Sequence, residues 1–342
     1  MVRLLVTGGA GFIGSNFIRY WFDAHPDDRI VNLDLLTYAG DPKSLADVLD
    51  KVGDRYTFAQ GDIADGPLLT SLLERHRPDV IVNFAAESHN SRAVLDPGAF
   101  MRTNALGTQV LLEAARQAKT PRFHHISTCE VYGDLALDSP LRFTEESPYR
   151  PRTPYNASKA AADLIVRAYH ETFGLPITIS NCANNYGPFQ HPEKVIPLFV
   201  TNAIDGQPLP LYRQSQNRRE WLHVDDHCHA IELILAKGRI GETYNVGSGE
   251  ERSVEQIADA VLGAAGAPAS LKTYVDDRPG HDRRYLLDHA KIETELGWRP
   301  RVAFADGLRE TVAWYRANPR WWRPKKAQHA AALDEAGWSK RS

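Results

Sequence analysis

The chain has 342 residues, a formal net charge of −3, 43% hydrophobic residues and 24% charged residues. That length holds one large core or two modest ones. The near-balanced charge gives no footing for nucleic acid or a membrane surface as partner, and no apolar run approaches the ~18 residues of a membrane helix. Cys129, Cys182 and Cys228 are scattered without metal-ligand spacing, so no metal site is expected and they read as reduced thiols of a cytoplasmic protein. The N-terminus "MVRLLVTGG" enters a strand directly, with no signal-peptide layout.

Short runs rich in β-branched residues recur in chain order: "RLLVT", "RIVNLD", "YTFAQGD", "DVIVNFAA", "RFHHIST" and "PITISNC". Amphipathic stretches such as "PLLTSLLERHR" and "NALGTQVLLEAARQA" lie between them. This alternation predicts βαβ units and an α/β fold, a doubly wound parallel sheet covered on both faces. The rhythm breaks after Asn181, where "NNYGPFQHPEKVIPL" reads as a long loop. "QPLPLY" and "RREWLHV" read as later strands. "VDDHCHAIELILAKG" reads as a helix ending at Gly238, and "SVEQIADAVLGAAG" as a helix capped by Ser253. The expected layout is a nucleotide-binding domain from 1–181 and 219–240, a smaller C-terminal domain from 182–218 and 241–325, and a C-terminal tail from 326–342, with the chain from "NPRWWRPKK" onward read as peripheral.

"LLVTGGAGFIGSNFI" sets Gly8, Gly11 and Gly14 between the first strand and a helix opened by Phe12 and Ile13. Glycines there permit a tight turn, close approach to a pyrophosphate and close helix–strand packing. The helix N-terminus adds unpaired N–H groups and a positive dipole end. Asp34 ends the second strand 20 residues beyond Gly14, where an acid binds a ribose 2′-hydroxyl and repels a 2′-phosphate. The expected cofactor is therefore NAD in a Rossmann-type domain, with Asp62 and Ile63 of "QGDIAD" beside the adenine.

"TPYNASKAAADLIVRAYHETFG" places Tyr155 and Lys159 four apart on one face of a predicted helix. An ammonium beside a phenol favours the phenolate, which can remove a hydroxyl proton while the same carbon is oxidised. Thr128, at the end of the neighbouring strand, would share the substrate hydroxyl.

Taken together these motifs resemble the extended short-chain dehydrogenase/reductase family, and within it the dTDP-glucose 4,6-dehydratases. The likeness covers nearly the whole chain. It is carried by "TGGAGFIGSNFI", "LLTYAG", "NFAAESH", "VYGD", "PYNASKAAAD", "NNYGPFQHPEKVIPLF", "REWLHVDDH", "GETYNVGSGEE" and "DRPGHDRRYLLDHAKIETELGW". The resemblance implies C4 oxidation of a nucleotide-linked glucose against tightly held NAD, loss of water across C5 and C6, and return of the hydrogen to C6. It implies Tyr155, Lys159 and Thr128 at the first step and Glu130 at C5, with Ala85 beside the cofactor. It implies Ser88, Asn184, Lys194, Val195, Pro210, Tyr212, Arg219, Asn245, Arg278 and His281 around the nucleotide sugar. It also implies a homodimer built through helices such as "NALGTQVLLEAARQA" and "ASKAAADLIVRAYHETFG".

Two places depart from the family pattern. The usual Thr-Asp-Glu is here Thr128-Cys129-Glu130, and the apolar-Asp-Arg that usually follows "AAESH" is Asn90-Ser91-Arg92. Cys129 is then either a weak acid, with a thiol pKa near ~8.5 against ~3.9 for Asp, or a space-filler that leaves both proton transfers to Glu130. The missing carboxylates also leave open a glucuronate decarboxylase, a 5,6-ene-forming dehydratase and a 4-epimerase, all sharing oxidation at C4. A non-catalytic NAD-binding sensor would predict a broken Tyr/Lys pair, and this pair is intact.

Overall fold

The computed structural model describes residues 1–213, 216–276 and 282–335, with side chains described up to 330. Twelve strands are described: β1 Arg3–Thr7, β2 Arg29–Asp34, β3 Tyr56–Gln60, β4 Val80–Asn83, β5 Phe123–Thr128, β6 Ile177–Cys182, β7 Asn184–Tyr186, β8 Leu209–Tyr212, β9 Arg218–His223, β10 Thr243–Val246, β11 Glu251–Ser253 and β12 Lys272–Val275. Seven form one sheet in the order β10-β6-β5-β4-β1-β2-β3, parallel throughout. The six runs read from the sequence are β1 to β6.

Strand alternation fills both faces of this sheet. Leu4 and Val6 pack with Phe17, Ile18 and Trp21 of the helix Phe12–Ala24 on one side. Leu5, between them, packs on the other side with Leu69, Leu111 and Leu112. Each such side chain contributes about 1.5–3 kcal/mol when fully buried. The chain reverses its direction of travel across the sheet between β1 and β4, and a crevice opens there at the carboxyl ends of the strands.

The smaller part has a three-stranded sheet, β11-β9-β7, and a β8–β12 pair. Helices Val195–Ile204, Val254–Ala265 and Phe304–Ala317 close over it around Trp221 and Trp322. Ser253 caps its helix as expected, in a reciprocal pair with Gln256.

The sequence layout differs from this in four places. β10 belongs to the large sheet beside β6, unlike the rest of 241–325 in the expected layout; at four residues its run is too short to stand out. β9 pairs with β7 and β11, while the helix Val224–Lys237 that follows it packs on the large sheet through Val224, Cys228 and Ile231. The loop after Asn181 contains β7 and gives way to a helix at Val195.

The fourth difference is the stretch from "NPRWWRPKK" onward, whose described residues are not peripheral. The helix Pro319–Glu335 buries Trp322 in the smaller core. Trp321 Nε1 donates to Ser44 Oγ at 3.2 Å, and Lys325 pairs with Asp41, both in the loop region after β2. His329 Nδ1 lies 3.7 Å from Glu193. The indole rings and the lysine satisfied both parts at once, a match that composition alone does not reveal.

Glu220, in the middle of β9, is fully buried. Burial pushes its carboxyl up from 4.5 to about 7, although Leu287 N and Gly249 N both donate to it. The folded chain therefore keeps a proton that the unfolded chain releases above its ordinary value. This contribution to stability is fully present below pH 4.5 and is lost as the pH rises towards 7. Glu220→Gln is expected to gain about 3 kcal/mol on wild type between those two limits, measured as the difference in urea-unfolding free energy at each pH.

Candidate active site

The crevice is a cleft of about 630 Å³ between the large sheet and the smaller part. Its floor is the glycine loop. Gly8 has φ +72°, and a Cβ there would lie 2.6 Å from Ala85 N. A Cβ on Gly14 would lie 2.8 Å from Gly9 Cα. A Cβ on Gly11 would meet only Gly8 O, at 3.3 Å, so the space above this residue is open to a ligand. Gly11 caps the helix Phe12–Ala24 without a side-chain hydrogen bond, so the first helical N–H groups face the cleft beside Phe12 and Ile13.

Asp34 closes this end. Its Oδ2 accepts from Ala10 N at 2.9 Å and its Oδ1 from Leu36 N at 2.8 Å. The acid thus pins the glycine loop as well as facing the cleft, and burial raises its pKa. Asp62, Ile63 and Ala85 line the same wall. Asp62 Oδ1 accepts from Ala64 N at 2.9 Å, which shapes the turn.

The opposite wall carries the chemistry. β5 ends at Thr128, and residues Cys129–Tyr132 form a short helical turn. The turn sends alternate side chains to different places. Glu130 lines the cleft; Cys129, Val131 and Tyr132 are buried among Leu222, Tyr244 and Val246. Cys129 is only 1% exposed and is not part of the cleft wall. Burial, with Glu130 next, holds its thiol well above the ordinary range. Of the two readings of Cys129, this placement goes against the acid facing the substrate and suits the space-filler: the turn rotates it into the core.

Tyr155 and Lys159 come from the first turns of the helix Pro154–Phe173, capped by Thr153, and both line the cleft with Thr128. The coupling read from their spacing takes a different form. Lys159 Nζ donates to Ile126 O at 2.6 Å and lies 3.3 Å from His125 Nε2. Burial raises the Tyr155 phenol well above its ordinary value, the charge of Glu130 adds to this, and a hydrogen bond with Thr128 opposes it. Glu130 itself is raised by burial, against Arg219 and an amide donor from Asn90.

At the smaller part, Ser88, Asn184, Lys194, Val195, Pro210, Tyr212 and Arg219 line the cleft. Asn184 Oδ1 is buried without a hydrogen-bond partner, an acceptor left for a ligand. Lys194 Nζ donates to Ser88 O at 2.7 Å, tying the two walls together. Arg219 stacks 4.6 Å from the Tyr285 ring centre and donates to Asp282 O at 2.7 Å. Asn245 does not line the cleft. It is fully buried behind it, accepting from Tyr132 OH at 2.8 Å and donating to Phe143 O at 2.9 Å, because β10 is part of the large sheet. Arg278 and His281 lie outside the described residues.

Sequence reasoning missed several cleft residues: Asn90 as a partner of Glu130, Asp282, Tyr285, His191, Glu193 and His329. Asn90 carried a signal, since it stands at a departure from the family pattern. His329 carried none. Among the described residues no group of His, Cys, Asp and Glu has the arrangement of a metal site, and no helix is long and apolar enough to cross a membrane.

A glycine loop at the switch point of a parallel sheet, faced by a Tyr-x-x-x-Lys helix, defines the class of extended short-chain dehydrogenases/reductases. The family model described as GDP-mannose 4,6 dehydratase matches residues 5–311, and the chain belongs to this family. A dTDP-glucose 4,6-dehydratase of Streptomyces niveus is 50% identical over 334 residues, covering 96% of this chain and 97% of that protein. One from Escherichia coli K12 is 45% identical over 343 residues, 94% of each. The structure of DesIV, the dTDP-glucose 4,6-dehydratase of Streptomyces venezuelae, solved with NAD bound, is 52% identical with a TM-score of 0.90; the match covers 94% of this chain and 99% of that one. A UDP-glucose 4-epimerase of Thermotoga maritima, with UDP-glucose, is 27% identical with a TM-score of 0.85, over 92% of this chain and 99% of that one.

Proposed function

We propose that this protein is an NAD-dependent dTDP-glucose 4,6-dehydratase. The observation that carries the reading is the meeting of Thr128, Glu130, Tyr155 and Lys159 on one wall of a cleft whose floor is a glycine loop. The cradle fits a dinucleotide: Gly8 and Gly14 allow the loop its close turn, Gly11 leaves room for a pyrophosphate, and Asp34 stands where a ribose would lie. Gly8, Gly11, Phe12, Ile13 and Gly14 would hold the phosphates, with Asp62, Ile63 and Ala85 along the adenine side and Tyr155 and Lys159 at the reactive end. When bound, NAD supplies a reversible two-electron acceptor and a positive ring charge that favours the Tyr155 phenolate.

The chain's own groups then act in order. Tyr155, aligned by Thr128, takes the proton of the 4-hydroxyl as C4 becomes a ketone. The ketone acidifies the proton on C5, and Glu130 removes it. Glu130 then hands that proton to the departing 6-hydroxyl, which leaves as water; the hydrogen removed from C4 is restored at C6 and C5 is reprotonated, so the overall change is loss of water. Asn184, Lys194 and Arg219 offer an amide and two cations to the diphosphate, the chemistry such a group needs.

Glu130 also separates this reading from its rivals. A glucuronate would set a second carboxylate against it on the same wall, so decarboxylation is disfavoured. A sensor would not need Tyr155 and Lys159 together on the cleft. The deciding experiment incubates the protein with dTDP-glucose, UDP-glucose and the corresponding glucuronates and weighs the products. Loss of water from dTDP-glucose is expected; loss of carbon dioxide, or unchanged mass, overturns the reading.

Gly14→Ala is expected to weaken NAD binding about 10- to 100-fold, because the added methyl meets backbone and forces the loop to shift. Isothermal titration with NAD checks this. The chain is proposed to work as a cytoplasmic homodimer. The helices around 101–117 and Pro154–Phe173 lie side by side, with Gln109 Nε2 donating to Tyr169 OH at 2.8 Å. Their outer faces expose Leu106 (52%), Leu164 (59%) and Phe173 (53%), an apolar stripe suited to a second copy. The three cysteines are unpaired and buried, which suits a reducing compartment.

A further inference from the structure

The position after His89 departs from the family pattern, and the structure gives it a partner. Asn90 Nδ2 donates to Glu130 Oε2 at 3.2 Å. The orientation of this amide is fixed from its other end. Thr153 Oγ1 accepts from Asn156 N at 3.2 Å, which directs its single proton elsewhere, and Asn90 Oδ1 lies 2.9 Å away to receive it. The carbonyl oxygen of Asn90 is thus engaged by Thr153, and its NH₂ faces Glu130. Thr153 is also the cap of the helix that carries Tyr155 and Lys159. An apolar residue at 90 makes none of these bonds.

We propose that Asn90 is a positioning residue, which with Thr153 behind it aims the Glu130 carboxylate into the cleft as the proton acceptor for C5. The proposal rests on the dehydratase reading and adds a residue to it. The C5–H electron pair passes to the enolate of the 4-ketone, then into the C5–C6 double bond as the C6–O bond breaks. The proton held by Glu130 leaves with that oxygen as water. Glu130 ends ionised, as it began, and no oxidant or reductant is consumed in this step.

The surroundings make an amide donor consequential. Burial disfavours the ionised Glu130, and Asp282, on the same cleft, adds to that. Arg219 from β9 and Lys194 from the opposite wall favour the ion through their charge, and Asn90 donates a hydrogen bond to it. Tyr155 and Tyr285 feel the same charge from the other sides. Cys129, next in the chain, is a buried neutral thiol. Where the family pattern places an aspartate, its charge would work against a second carboxylate nearby; here that charge is absent and a donor is present. Both changes act in one direction, towards an ionised Glu130.

Asn90→Leu and Thr153→Val test this against wild type. The acid limb of the kcat–pH profile is expected to move up by about one pH unit in Asn90→Leu and by less in Thr153→Val, with KM little changed. Asn90→Asp, which adds a charge, is expected to move it further. The second readout needs no turnover: the carbon-13 carboxyl signal of Glu130, assigned by its absence in Glu130→Gln, titrates higher in the same order. Unmoved titration in folded variants that bind dTDP overturns the role of Asn90. If wild type fails to dehydrate dTDP-glucose while the Glu130 titration still follows the series, the assigned reaction fails and the positioning role stands.

Discussion

Tyr155→Phe is expected to lower turnover of dTDP-glucose by about 10²- to 10⁴-fold while leaving nucleotide binding close to wild type. The substitution removes one oxygen. The ring keeps its edge-on packing against Phe100, with centroids 6.2 Å apart, and the helix cap at Thr153 is untouched. What is lost is the group that receives the 4-hydroxyl proton. Thr128 loses its partner but stays bonded to Glu130 N at 3.3 Å. Quantifying the 4-keto product by mass checks the variant. Activity within tenfold of wild type at every pH removes Tyr155 from the reaction.

Glu130→Gln is expected to cost a similar factor, about 10² to 10⁴, but at a different step. The ketone at C4 still forms, and reduction of the quenched mixture with borodeuteride should trap it with the 6-hydroxyl retained. Tyr155→Phe should yield none of this species. Glutamine matches the shape of glutamate and its carbonyl oxygen can still accept from Asn90 Nδ2, but it cannot take a proton from C5. Cys129→Ser provides the contrast. Residue 129 lies in the core rather than on the cleft, so turnover is expected to stay near wild type. A large loss there, with normal stability, would overturn the assignment of both proton transfers to Glu130.

The large sheet was legible because five of its first six strands are largely buried runs between helices, while the half-exposed β3 still shows as a short run with β-branched and aromatic residues. β10 is not legible in this way: "TYNV" is four residues long and is recruited by β6 rather than by its own pattern. The glycine loop and the Tyr155/Lys159 pair could be read because their spacing is local. The direction of Cys129 could not. Strand alternation stops at Thr128, and the short turn that follows sets each side chain by a geometry that depends on the Thr128 cap. Asn245 failed for a related reason, since its neighbours Tyr132 and Phe143 are more than a hundred residues away. Asn90 was visible as a departure, but its partners, Glu130 and Thr153, meet it only through the fold.

The C-terminal helix fastens to both halves of the molecule. Any hinge motion that widened the crevice would have to part Lys325 from Asp41 and Trp321 from Ser44 on one side, or draw Trp322 out of its core on the other. The end of the chain therefore works as a tether. Trimming this helix is expected to alter nucleotide residence times before it alters the speed of bond making.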